Sequence, residues 1–241
     1  MTLLVWCTAA LIAYTIKGFS GFGPALVVVP VLSVLYSPAT ALGTSALVDA
    51  VVGACFIAYL GLSMAQLKML RRMLASLVIG TVIGSVLVAY IPRQILLILV
   101  GLSVLGLAIQ LLRTGKPGFT VSGRQMPLQL SCFLAGLSGG LVGVSGPFMV
   151  AGTARFEKAE MRRLLVAVFL VEGIVRIATY AFMGTIEMQS LELGAIALPA
   201  IVLGMVFGIW LHTRVSEKRF ITVIAWFLMA VAIQPLASAL S

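Results

Sequence analysis

Two stretches of the chain can be laid over each other without a gap. In each, Gly-Pro breaks an apolar run and the next run carries an acid. The first, GPALVVVPVLSVLYSPATALGTSALVDAVVGACFIAYLG, begins at Gly23, and the second, GPFMVAGTARFEKAEMRRLLVAVFLVEGIVRIATYAFMG, begins at Gly146. The offset is 146 − 23 = 123 positions, and it sets Asp49 on Glu172, the two acids deepest in apolar sequence. With one extra residue, an offset of 124, Gly80 and Gly84 fall on Gly204 and Gly208, and Ala108-Ile109-Gln110 falls on Ala232-Ile233-Gln234. Such a repeat restricts the fold to two related halves, 1–120 and 121–241. A broken apolar segment repeated in both halves is the sequence pointer to a transporter site formed by the pair.

Composition excludes a soluble fold. Of 241 residues 61% are hydrophobic and 10% charged, and the mean hydropathy is +1.18. A soluble domain needs more polar skin than that. Uncharged runs such as Ile91 to Leu112, interrupted only by Arg93, are long enough for a hydrocarbon core of roughly 30 Å. They are continuous and do not alternate with polar residues, which argues against a β-barrel. The formal charge of +9 is confined to short loops, as expected of loops facing the cytoplasm and not of a nucleic-acid surface. Cys7, Cys55 and Cys132 stand singly, without metal-ligand spacing, and read as small packing residues. No metal or cofactor is expected. The run from Thr2 to Ile16 lacks a basic leader and a small-residue cleavage site, so it is expected to stay as the first helix.

Glycine, proline and charge divide the chain into segments 2–17, 22–36, 39–61, 69–90 and 93–113, then 126–142, 146–156, 161–184, 192–212 and 219–238. The second and seventh are short, and each follows a glycine-rich break. The expectation is an all-α polytopic membrane protein of two inverted repeats of about five segments each. It has eight to ten transmembrane segments, two of them broken or re-entrant. Inversion follows from the basic loops at Lys68 to Arg72, Arg113 to Arg124, Arg155 to Arg163 and Arg214 to Arg219. With these on one side, the third and eighth segments run in opposite directions and both termini lie outside. Arg93 alone falls on the wrong side.

The breaks are KGFSGFGPALVVVP at 17–30 and GLSGGLVGVSGPFMV at 136–150. Glycine permits close approach and non-helical backbone, and proline at the first helical position loses no hydrogen bond. A helix starting in mid-membrane presents N–H groups and a positive dipole end, which favour an anion. The expected substrate contacts are Ser20, Gly21, Phe22, Gly23, Pro24 and Ser45 from the first half, and Gly143, Ser145, Gly146, Pro147 and Arg176 from the second. The competing reading is that the glycines serve only helix packing.

The motif G-F-S-G-F-G-P-A-L-V-V-V-P, with G-L-S-G-G-L-V-G-V-S-G-P opening the second half, resembles the TauE/SafE sulfite exporter family over essentially the whole chain. The resemblance implies a small permease of the bacterial inner membrane. Its substrates would be sulfite, organosulfonates, related sulfur-containing anions or small carboxylates, most often exported. Family members commonly carry a longer glycine run where this chain has Gly-Pro-Ala and Gly-Pro-Phe, so the prolines and Phe148 reshape the expected pocket.

The intramembrane charges complete the set. A carboxylate in hydrocarbon needs a proton, a partner or a wet cavity, and Asp49 lies far in sequence from any other charge. It is the first candidate for the coupling ion, a proton in preference to Na+, with Glu172 the second; a structural acid is the alternative. Arg176 stands four residues after Glu172, so it either neutralises that acid or bridges to Asp49 or the substrate through paired donors. At the corresponding place after Asp49 the chain has Gly53. Thr44 reads as a cavity or backbone-satisfying hydroxyl, Lys17 as a mouth charge or snorkelling residue, and His212 as interfacial. The chain therefore reads as a secondary carrier for a small anion, in contact with the lipid bilayer and compatible with a homodimer. An anion channel is the alternative. No ATP-binding motif, nucleophile pairing or metal cluster supports a pump or an enzyme.

Overall fold

Backbone polar groups have no water to bond in hydrocarbon, so apolar segments of this length fold as helices that satisfy themselves. The computed structural model describes residues 2–21, 23–60, 63–115, 126–153, 158–184 and 186–240. Among these residues lie α1 (Thr2–Ser20), α2 (Ala25–Leu35), α3 (Pro38–Leu60), α4 (Met64–Val88), α5 (Arg93–Thr114), α6 (Leu128–Val142), α7 (Gly146–Thr153), α8 (Lys158–Phe182), α9 (Met188–His212) and α10 (Glu217–Leu240). Each matches one expected segment. Seven are long and apolar enough to cross a membrane. The other three, α2, α6 and α7, have 11, 15 and 8 residues. At about 1.5 Å per residue they fall short of a bilayer core. The second and seventh segments are short as expected, and α6 is shorter than a span as well.

The helices pack as two compact units, and each unit draws on both sequence halves. The first comprises Met1–Ser45, Ile91–Pro117 and Ile186–Ser241; the second comprises Ala46–Tyr90 and Gly118–Thr185. Helix α3 leaves the first unit after Ser45 and continues in the second.

In the second unit α4 and α6 lie backbone on backbone. A Cβ at Gly80 or Gly84 would collide with the carbonyl oxygens of Phe133 or Leu137, and one at Gly136 or Gly140 with those of Leu77 or Thr81. The helices run parallel. The start of α6 is joined to the middle of α4 by Ser76, which donates to Gln129 Oε1, and by Gln129 Nε2, which donates to the Arg72 carbonyl at 2.8 Å. Helix α7 folds back along α6, because the Ser131 hydroxyl donates to the Phe148 carbonyl and Gly152 leaves room for that same serine. Thus α6 and α7 form a hairpin whose open end lies against the middle of α4. Met73, Leu77, Cys132, Met149, Leu165 and Val168 fill the core of the unit. Cys132 packs as expected, whereas Cys55 is exposed on α3, so packing is not its role.

The first unit repeats the arrangement with α1 and α9. A Cβ at Gly204 or Gly208 would meet the carbonyl oxygens of Leu11 or Thr15, and one at Gly18 would meet that of Met205. The contacts correspond position by position, since 204 − 80 and 208 − 84 give 124 while 133 − 11, 137 − 15 and 140 − 18 give 122. Trp6 Nε1 donates to the Leu193 carbonyl at 3.0 Å, and Phe19 stacks on Phe220 and meets His212 edge-on. The start of α1 therefore lies beside the start of α9, away from the basic α9–α10 turn. Arg93, the charge that the expected topology leaves on the wrong side, donates through Nη2 to the Tyr36 carbonyl at 3.4 Å, just after the last turn of α2. Its place is explained by a helix end that needs a donor.

A leucine at Gly84 has no direction to point except into α6. Gly84→Leu is expected to destabilise the protein by more than about 3 kcal/mol and to remove the monodisperse peak in detergent size-exclusion chromatography. The exposed replacement Val82→Leu should leave that peak unchanged.

Candidate functional site

Helix α8 carries Glu172, Arg176 and Tyr180 at spacings of four, so the three side chains rise along one face. Each is 2% exposed. The part of α3 in the same unit crosses α8 closely. A Cβ at Gly173 would lie 3.2 Å from the Ala50 nitrogen, and one at Gly53 would lie 3.2 Å from Leu170 Cα. Ala50 and Gly173 are counterparts in the overlay, since 173 − 50 = 123. The crossing brings Asp49, 9% exposed, into electrostatic contact with Arg176, as Glu172 also is. Gly53, which stands where the second half has arginine, lies at this crossing, and a Cβ there would press on Leu170 at 3.1–3.2 Å.

The glycine-rich break of the second half meets this face. Helix α6 ends at Gly143, whose φ of 78° is left-handed and suits glycine. The Gly143 N–H bonds to the Gly139 carbonyl at 2.9 Å, the Val144 N–H reaches Ser138 O, and the Ser138 hydroxyl returns to the Val144 carbonyl at 2.8 Å. Helix α7 then starts at Gly146, with Pro147 second and the Ser145 carbonyl accepting from Met149 N–H at 3.2 Å. Gly139 has no side chain because the Glu172 carboxylate fills that space, with Ser145 Cβ also 3.0 Å from where a Cβ would stand. Carbonyls in the last turn of a helix lack helical partners, and the one at Gly140 accepts from the Tyr180 hydroxyl. Arg176 in turn is hydrogen-bonded to Tyr180, with Cζ 5.9 Å from the ring centroid.

Of the expected residues, Asp49, Ser145, Glu172 and Arg176 thus converge, with Gly143, Gly146 and Pro147 forming the turn beside them. The other first-half residues, Ser20, Gly21, Gly23, Pro24 and Ser45, belong to the other unit. There the Ser20 hydroxyl donates to the Ile16 carbonyl at 2.7 Å, and the Gly21 N–H bonds to Lys17 O at 2.7 Å. Gly21 and Gly23 have φ of 83° and 94°, and Pro24 leads into α2. Ser45 is buried on α3, and Thr44 donates to the Thr40 carbonyl at 2.8 Å. Lys17 is 5% exposed, its Nζ 5.7 Å from the Tyr14 ring centroid, so it is a buried residue and not a snorkelling one. Phe22, Lys116, Arg124 and Arg155 lie outside the described residues. Sequence reasoning missed Gly139 and Tyr180; the period-four series Glu172, Arg176, Tyr180 was the available signal.

The family model described as Sulfite exporter TauE/SafE matches residues 6–234, from the first turns of α1 into α10. The chain belongs to the TauE/SafE sulfite exporter family. As a TauE/SafE protein it is a multi-pass membrane transporter with a small anionic substrate and a bilayer for its surroundings. Comparisons with curated proteins and with solved structures return no match.

A methyl group at Gly139 has to displace the Glu172 carboxylate. Gly139→Ala is expected to lower stability by about 1–3 kcal/mol, read as thermal unfolding in detergent. In a Glu172→Ala background, where the space is vacated, the same change should cost much less; equal costs in both backgrounds would separate the glycine from the acid.

Proposed function

We propose that the chain is a proton-coupled secondary transporter that exports sulfite or an organosulfonate across the bacterial inner membrane by alternating access. The observation that carries this reading is the buried guanidinium of Arg176, set beside the glycine break and in electrostatic contact with both intramembrane acids. A buried charge is tolerated only with counter-charge and hydrogen bonds around it. Guanidinium offers an oxyanion paired, planar donors that no other side chain supplies. An incoming anion and the carboxylates of Asp49 and Glu172 therefore compete for the same positive charge. A proton on either acid changes how much of that charge is left for the anion, which links the two species. Ser145 and the start of α7 supply polar groups next to the acid.

The inverted arrangement of halves belongs to the same proposal. It is supported by the matching α1–α9 and α4–α6 contacts and by the meeting of Ala50 with its own counterpart Gly173. The basic residues Lys68, Arg71, Arg72 and Arg163 lie in the first turns of α4 and α8, which supports a cytoplasmic position for those helix starts.

The test is sulfite flux in proteoliposomes under an imposed pH gradient. Asp49→Asn should abolish gradient-driven flux while sulfite exchange continues; gradient-driven flux that survives removes the coupling role. Arg176→Gln should raise the KM for sulfite about tenfold or more at normal expression, and an unchanged KM removes Arg176 from the substrate site.

A further inference from the structure

Tyr180 is the buried polar group on α8 to which the competition of anion and carboxylates for Arg176 gives no role. A phenol hydroxyl has one proton to donate. That proton goes to the Gly140 carbonyl in the last turn of α6. Arginine has donors only, so in the hydrogen bond joining Arg176 and Tyr180 the phenol oxygen is the acceptor. The direction is fixed at both ends. The hydroxyl transmits the position of the α6 break to the guanidinium, and the ring flanks the same group 5.9 Å from Cζ. Ser85 Oγ, also buried, lies 3.0 Å from where a Cβ on Gly140 would stand, so the Tyr180 contact point is enclosed by α4 as well as α6. A bare arginine on a helix face samples many rotamers. This one is held from the Glu172 side by charge and from the Tyr180 side by a phenol that is itself bonded to the Gly140 carbonyl.

We propose that Tyr180 is a positioning residue for anion recognition, holding the Arg176 guanidinium in the orientation that meets the substrate by anchoring it to the Gly140 carbonyl. The assignment rests on the reading of Arg176 as the substrate ligand. It extends that reading, because affinity then depends on a residue that need not touch the anion. It also makes the α6 break a sensor. Any movement of Gly140 shifts Tyr180, and with it the guanidinium.

The test is a double-mutant cycle on sulfite transport in proteoliposomes, using Tyr180→Phe, Arg176→Gln and the pair. Tyr180→Phe keeps the ring and removes the anchor, and should raise the KM for sulfite about tenfold with Vmax within a factor of about two of the parent. In the Arg176→Gln background it should change KM no further, since the two act as one unit. A KM unchanged by Tyr180→Phe while Arg176→Gln raises it overturns the proposal and leaves the anion site standing. Independent, multiplying effects of the two variants overturn it as well. An Arg176→Gln protein with the parent's KM overturns both the site and the positioning role. If Tyr180→Phe does not accumulate, Tyr180→His, which keeps one donor and one acceptor, replaces it in the comparison. Its KM should lie close to the parent's, and a tenfold rise there counts against the proposal.

Discussion

Backbone lying directly on backbone is the constraint from which the rest of this structure follows. Lipid tails are as apolar as leucine, so helices in a bilayer gain little by burying apolar side chains against each other. They associate by close packing and weak contacts at small residues. Gly80, Gly84, Gly136 and Gly140 bring α4 and α6 to the distance at which Cα–H groups face carbonyls. Gly18, Gly204 and Gly208 do the same for α1 and α9. Fixing α6 to that tolerance fixes its last turn. The last turn then presents Gly139 to one side chain of α8 and the Gly140 carbonyl to another.

The polar face of α8 shows how a membrane helix can carry charge. Its three polar side chains are solved one against the next: acid beside guanidinium, guanidinium beside phenol, phenol on a carbonyl that the helix break would otherwise strand. The asymmetry of the two halves has a steric origin here. Where α3 crosses α8, a Cβ at position 53 would stand 3.1 Å from Leu170 Cβ and 3.2 Å from its Cα, so the crossing has one buried guanidinium, Arg176, with the two intramembrane carboxylates.

The ten segments are legible in the sequence because lipid imposes a simple rule on length and polarity, and glycine with proline marks the interruptions. Asp49, Glu172 and Arg176 are legible for the same reason: charge in an apolar run is costly enough to need an explanation. Partner choice is not legible. The overlay shows which positions correspond, whereas α4 against α6 and α1 against α9 are choices made by surfaces far apart in the chain. Tyr180 escapes notice because a tyrosine in an apolar segment looks like bulk; only the carbonyl it caps reveals its polarity. Ser20 and Gly143 look like ligand groups in sequence, and in the fold each also makes a local bond, Ser20 to the Ile16 carbonyl and the Gly143 N–H to the Gly139 carbonyl. Short polar residues at a break always have that local use available. The buried state of Lys17 is a tertiary outcome that its position at the end of an apolar run does not disclose.

The pairing of α1 with α9 has a consequence for how the protein is made. The two helices begin 188 − 2 = 186 residues apart, so at typical rates of synthesis α1 waits roughly ten to forty seconds for its partner to leave the ribosome. During that time the backbone groove at Leu11, Thr15 and Gly18, later closed by Gly204 and Gly208, faces lipid or the insertion machinery. Biogenesis, and not only transport, therefore depends on the last quarter of the chain: a nascent protein stopped before α9 would leave its first helix as an orphan for membrane quality control.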